Sequence, residues 1–236
     1  MNRLPLERKI LNENDRVAAE LRERFLHHGV LCVNLISSPG SGKTSLLERT
    51  LGIFPSTTRV AVLTGDLQTE NDAERLRRFG FPVKQITTGG TCHLDARMIE
   101  RHLEDWPLEE LDYLLIENVG NLVCPSSYDL GERIRVALLS VTEGEDKPLK
   151  YPTLFNSADA AVITKMDIAE AVGFDREAAL RNIREIRPNI RIFETSAKTA
   201  AGMDVWLDYL AEEKALQVGD PRFQNRDLGH HTGAQR

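Results

Sequence analysis

The stretch SSPGSGKT, residues 37 to 44, sets two glycines, a lysine and a threonine at the spacing of a phosphate-binding loop. Only the first position departs: Ser37 stands where the pattern has glycine, at the exit of a strand-like run rather than among the phosphate contacts. Gly40 and Gly42 let backbone N–H groups curl around phosphate oxygens, and a helix opening at Lys43 adds a favourable dipole. Lys43 is expected to neutralise the β- and γ-phosphates and the Thr44 hydroxyl to reach Mg²⁺, with Ser41 and Ser45 flanking them. The competing reading is a chance Gly/Ser turn, which the strand–loop–helix context disfavours.

A second group reads the base. VITKMD ends a strand-like run with Thr164, Lys165 and Asp167, and resembles the guanine-reading N-K-x-D pattern with threonine in place of asparagine. Guanine offers an N1–H and an exocyclic amine on one edge, and the Asp167 carboxylate suits both, whereas adenine has no such donor pair. The Lys165 stem is expected to lie across the base, and Ser196, Ala197 and Lys198 of TSAK to supply the second base-contact loop. Thr164 lacks the amide that would brace the phosphate loop, so a weaker hold on the base is expected. GTP is favoured over ATP, which counts against a small-molecule kinase.

Two segments are placed to sense the γ-phosphate. Asp66 leaves a strand in LTGDLQTENDAERL, where it would bind the Mg²⁺ shell or orient a water. Glu117 ends a strand in LLIENVGNLVCP, and Gly120, three residues on, would bring a backbone N–H to the γ-phosphate. The alternatives are a turn residue at Asp66 and a surface charge at Glu117; position at the carboxyl ends of strands favours function. No cis arginine finger is evident, so slow turnover is expected.

The third group is made of thiols and imidazole. Cys92 and His93 follow the turn of TTGGTCHLDAR, with Thr91 the expected N-cap of a helix over TCHLDARMIERHL, whose dipole would favour thiolate at Cys92. Cys124 lies four residues after Gly120. Two thiolates and an imidazole suit Zn²⁺ or Ni²⁺, but a closed zinc site takes four ligands, so a water or a residue of a second subunit would finish it. Two other readings stay open: a Cys-His nucleophilic dyad, although adjacent residues rarely aim at each other, or residues that are merely neighbours. Cys32 lies inside a strand and reads as core, and the pairs His27-His28 and His230-His231 as surface residues or at best weak metal binders.

These groups need a scaffold. Strand-like segments (LCVNLIS, RVAVLTG, PVKQI, LDYLLIE, IRVALLSV, AAVITK, IRIFETS) alternate with helix-like ones. Near-continuous apolar strands imply an α/β fold: a mostly parallel sheet of about seven strands with helices on both faces. An amphipathic N-terminal helix is expected over residues 5 to 28, with a break near NEND. The expected organisation is a helical extension at 1–30, a GTP-binding domain at 31–215 and a flexible tail at 216–236.

The 236 residues suit one well-buried domain. A formal net charge of -6 argues against nucleic-acid binding. No apolar run approaches the ~18 residues needed to span a bilayer. The N-terminus MNRLPLERKI is too charged for a secretory segment, so a cytoplasmic protein is expected, where three cysteines would stay reduced.

Together the strings NLISSPGSGKT, GDLQTENDAERL, TTGGTCHLDA, ENVGNLVCP, VTEGEDKPLKYP, VITKMD and ETSAKT resemble the HypB family, GTPases that help insert nickel into nickel–iron hydrogenase. The resemblance spans roughly residues 12 to 210. It implies the P-loop class shared with urease and cobalamin-enzyme metallochaperones, a GTP-dependent homodimer across the nucleotide face, and metal held at that interface through Cys92, His93 and Cys124. It also implies a HypA-like nickel accessory protein docking near the N-terminal helix, and the hydrogenase large subunit as acceptor. The N-terminus carries neither the cysteine motif nor the histidine-rich stretch of some members, which leaves the switch-linked set as the expected nickel site. Structural zinc that is never transferred, or maturation of another metalloenzyme such as urease, are the alternatives.

Overall fold

The computed structural model describes residues 3–66 and 71–219. Seven strands form one sheet: β1 (Leu31–Ile36), β2 (Val60–Asp66), β3 (Val83–Thr87), β4 (Tyr113–Glu117), β5 (Ile134–Ser140), β6 (Ala160–Thr164) and β7 (Arg191–Glu194). Their order is β3-β2-β4-β1-β5-β6-β7, and every pairing is parallel. This is the mostly parallel seven-stranded sheet the sequence predicts. The helices are α1 (Arg3–His28), α2 (Lys43–Ile53), α3 (Asn71–Arg77), α4 (Ala96–His102), α5 (Lys147–Lys150), α6 (Pro152–Ser157), α7 (Arg176–Ile186) and α8 (Met203–Val218).

Alternate strand residues face opposite layers. On one face Leu31, Val33 and Leu35 of β1 pack with Leu46, Leu47 and Leu51 of α2 and with Trp206, Tyr209 and Leu210 of α8. On the other, Cys32, Ala61, Leu63 and Leu114 pack under Val17, Ala18, Leu21 and Phe25 of α1 and Ile99 of α4. Cys32 is fully buried there, a core thiol as its sequence position implies. Helices α6 and α7 cover β5 and β6 on this second face. Among the described residues no helix is long and apolar enough to cross a membrane.

Two sequence expectations need correction. Helix α1 runs unbroken through NEND, because Asn14 is buried on the helix's inner face, where its side chain bonds to other elements rather than to its own backbone. The helix expected from Thr91 starts only at Ala96: Asp95, not Thr91, is the cap, accepting from Met98 N at 2.8 Å. Thr91 instead closes the preceding turn on Thr88. The expected tail overlaps residues 220–236, including His230-His231, which lie outside the described residues.

Candidate functional site

The carboxyl ends of β1, β2 and β4 open into a cavity of about 550 Å³ lined by Lys43, Thr44, Asp66, Asp72, Glu117 and Gly120 among others. Parallel α/β sheets place ligands at this edge. Lys43 Nζ is buried and donates to Ser37 Oγ at 3.0 Å and to the Ser38 carbonyl at 3.4 Å. The departure at Ser37 therefore supplies the lysine with a partner inside its own loop. Burial lowers the Lys43 pKa, while Glu117 and Asp72 oppose that shift.

Glu117 is 4% exposed and accepts from Thr44 Oγ1 at 2.7 Å, so it is no surface charge. Its Oε2 is buried with no hydrogen-bond partner. Burial pushes the carboxyl up to about 7 against 4.5 ordinarily. A carboxylate oxygen, a hydroxyl beside it and Asp66 across the cavity form an all-oxygen donor set that fits Mg²⁺. In the cation-free fold Glu117 keeps its proton up to pH about 7, whereas the unfolded chain releases it near 4.5. The stabilisation is therefore full below pH 4.5 and lost as pH rises through 7, a loss on the order of 3 kcal/mol. Glu117→Gln is expected to flatten the fall of Tm with pH across this interval in metal-free, nucleotide-free protein; a parallel fall in both proteins would contradict it.

A second cavity of about 740 Å³ adjoins the first through Gly42, Ser45 and Lys165, and brings together Thr164, Lys165, Asp167, Ala197 and Lys198. Ser196, fully buried behind them, donates to Asp167 Oδ1 at 2.7 Å and fixes the carboxylate at the cavity rim. Lys165 has left-handed backbone, φ 62°, and its Nζ reaches the Gly40 carbonyl at 2.7 Å. Thr164 does brace the phosphate loop, through its hydroxyl rather than an amide: the hydroxyl donates to the Ser41 carbonyl at 2.6 Å. Thr164→Val is expected to weaken GDP binding about five- to tenfold, near the value of one neutral hydrogen bond, while Thr164→Ser is expected to bind normally. Equal GDP affinity in Thr164→Val and the parent would refute the brace.

Sequence reasoning missed Arg49 and Glu143. Arg49 on α2 donates to the Ala197 and Lys198 carbonyls at 2.7 and 3.2 Å, tying the second base loop to the phosphate-loop helix. Glu143 of TEGED accepts from Ser41 Oγ at 2.7 Å and from Ser140 N at 3.0 Å. Each bridges distant positions, and only the TEGED string marked one of them.

The ligand atoms of Cys92, His93 and Cys124 lie within 4.8 Å of one another, and among the described residues no other three such side chains converge in this way. All three are partly buried. The His93 ring stacks on Tyr128 at 3.8 Å between centroids, and burial lowers its pKa, which favours the neutral form that ligates. Its Nδ1 is buried without a partner. The expected helix-dipole effect on Cys92 does not arise, since Cys92 lies outside α4. The Cys124 thiol is held above its ordinary value by its hydrogen bond to Cys92, with burial adding to the effect. The paired, partly buried thiols and imidazole fit a soft or borderline cation such as Zn²⁺ or Ni²⁺.

The segment between the two sites is short and tightly held. A Cβ on Gly120 would sit 2.9 Å from Pro39 Cγ and 3.0 Å from Pro39 Cα, so this backbone lies directly against the phosphate loop. Asn121 Nδ2 donates to the Cys92 carbonyl at 3.2 Å, and Cys124 follows three residues later. Asn118 Oδ1 accepts from Leu94 N at 3.3 Å.

Residues 31–194 match the family described as CobW/HypB/UreG, nucleotide-binding domain. The hydrogenase maturation factor HypB of Azotobacter chroococcum is 47% identical over 215 residues, covering 90% of this chain and 70% of the relative. The chain belongs to the HypB family. Another HypB, the hydrogenase/urease maturation factor of Helicobacter pylori, is 47% identical over 210 residues, 87% of this chain and 86% of the relative. A crystal structure of HypB from Helicobacter pylori in complex with nickel matches with a TM-score of 0.81 and 46% identity, over 86% of this chain and 96% of that one. As a HypB-family member the chain is a P-loop GTPase.

Proposed function

We propose that this GTPase couples nucleotide state to the hand-over of nickel during maturation of a nickel–iron hydrogenase. One observation carries the reading: Gly120 abuts the phosphate loop, and Cys124, four residues on, belongs to the thiol–imidazole cluster. A γ-phosphate that moves the 117–120 backbone therefore moves a ligand of the cargo metal.

Each residue has a task. Gly40, Ser41, Gly42, Lys43, Thr44 and Ser45 cradle the phosphates; Asp167, Lys165 and the 196–198 loop hold guanine. Thr44, Glu117 and Asp66 would hold Mg²⁺, which supplies charge neutralisation on the transferring phosphoryl group. Asp66 and Glu117 orient the attacking water, and the Gly120 N–H senses the γ-phosphate. Slow turnover fits the cavity: among the described residues Arg75 is the one arginine that lines it, and it is held by Glu48 at 2.6 Å. Cys92, His93 and Cys124 bind Ni²⁺ as cargo, or Zn²⁺, and a partner subunit or water completes the coordination. A GTP-dependent homodimer in the cytoplasm, a HypA-like accessory protein on α1 and the hydrogenase large subunit are the partners.

Nickel incorporation into metal-free hydrogenase large subunit tests this reading. Incorporation with GTP is expected to require Cys124; undiminished incorporation by Cys124→Ala would overturn it. The name of the Helicobacter pylori relative favours a second acceptor, urease, and nickel transfer to metal-free urease alone would select it. A metal that stays bound through turnover would select the structural-zinc scaffold.

A further inference from the structure

We propose that helix α1 is the clamp that sets the geometry of the metal cluster, with Asn14 as its positioning residue. This rests on the reading of Cys92, His93 and Cys124 as a metal site.

Asn14 is 5% exposed on a helix face otherwise made of Val17, Ala18, Leu21 and Phe25. Its Oδ1 accepts from Ala96 N at 2.9 Å, and its Nδ2 donates to the Asp129 carbonyl at 2.9 Å. Ala96 follows His93 by three residues, and Asp129 follows Cys124 by five and adjoins Tyr128, the ring on which His93 stacks. One buried amide thus spans the two loops that carry all three ligands. An apolar side chain would pack on this face at lower desolvation cost, so what the amide adds is the link between the loops.

Independent contacts fix the same loops to the same helix. Arg22 of α1 donates to both Asp129 carboxylate oxygens, at 2.6 and 2.5 Å. Gly131, φ 80°, approaches so closely that a Cβ there would lie 2.7 Å from Leu21 Cβ and 2.8 Å from the Ala18 carbonyl. Glu13 pairs with Arg97 of α4 at 2.5 Å. From beneath, Arg135, paired with the buried Glu132, donates to the Ser126 and Tyr128 carbonyls at 3.0 and 3.1 Å. Glu132 in turn accepts from Asn34, whose Oδ1 accepts from Asn118, next to Glu117. The 124–131 turn therefore sits between α1 and a polar chain that reaches the nucleotide end of β4. A shift of α1 changes the separation of Cys124 from Cys92 and His93.

The test uses the full chain with Ni²⁺ alone as probe and two variants. Asn14→Leu removes both bonds. Asn14→Asp keeps the acceptor for Ala96 N–H and loses the donor to Asp129, and stands alone if Asn14→Leu fails to fold. Both are expected to raise the Kd for Ni²⁺ about tenfold, in the range seen when groups supporting metal ligands are removed, and to alter the thiolate-to-nickel charge-transfer band. GDP affinity is expected to stay unchanged. Unchanged nickel affinity and band in the variants, with binding abolished by Cys92→Ala, would overturn the role of Asn14 alone. A parallel loss of GDP affinity would reduce Asn14 to a fold-stabilising residue and also overturn it. Nickel binding untouched by Cys92→Ala would show that the metal-site reading failed, and the proposal with it.

Discussion

Lys43→Ala is expected to lower GTP turnover by about 100- to 1,000-fold, the usual effect of deleting one preorganised donor to a charged transition state. The surroundings explain the size of the effect. Lys43 is the buried cation of a cavity that also holds Asp66, Asp72 and Glu117. Without it, three carboxyl groups would face the phosphates with only the loop's N–H groups, and any cation that Thr44 and Glu117 would hold, to offset them. The lysine is already inside the loop on Ser37 and Ser38, so phosphate oxygens replace two weak partners and no long reach is required. Folding should survive the change, because burial of the ammonium disfavours its charged form in the first place. Phosphate release at saturating GTP, with Tm as control, measures this; turnover within threefold of the parent would contradict the assignment.

Cys124→Ala and Cys92→Ala are each expected to weaken Ni²⁺ and Zn²⁺ binding by at least about 100-fold, beyond the effect of losing a supporting residue. Within one chain the cluster offers three candidate ligands, so removal of either thiol would leave two, too few to compete with water for a divalent ion. His93 does not compensate, since its ring is fixed by the stack on Tyr128. Cys32→Ala is the matched control: that thiol is fully buried in the α1-facing core, its pKa held up by burial, and its loss should leave metal binding intact. Isothermal titration of the three variants decides the point. Equal affinity in Cys92→Ala and Cys32→Ala would remove the cluster from consideration.

The parts of this architecture visible in the sequence are those encoded locally. Buried parallel strands read as unbroken apolar runs, and the phosphate loop declares itself because glycines, lysine and threonine must follow one another within eight positions. What stayed hidden depends on partners far apart in the chain. Thr164 reads as a defective brace until its hydroxyl is found on a carbonyl 123 positions away. The link from Asn14 to Ala96 and Asp129 spans 82 and 115 positions. The start of α4 escapes the sequence for a different reason: Thr91 and Asp95 are both competent caps, and the choice is made by Leu94, whose N–H is held by Asn118 and whose side chain is buried in the core. The 92–94 backbone is thereby kept out of the helix, and that places Cys92 and His93 opposite Cys124.

The central claim is that nucleotide state changes the hold on nickel, and a Ni²⁺ titration with GDP and with a non-hydrolysable GTP analogue, read together with molecular mass, tests it most directly. The expected result is a difference in nickel affinity of at least about fivefold between the two states, the lower range of coupling between linked sites, accompanied by dimer formation with the analogue. Identical nickel affinity in both nucleotide states would contradict it.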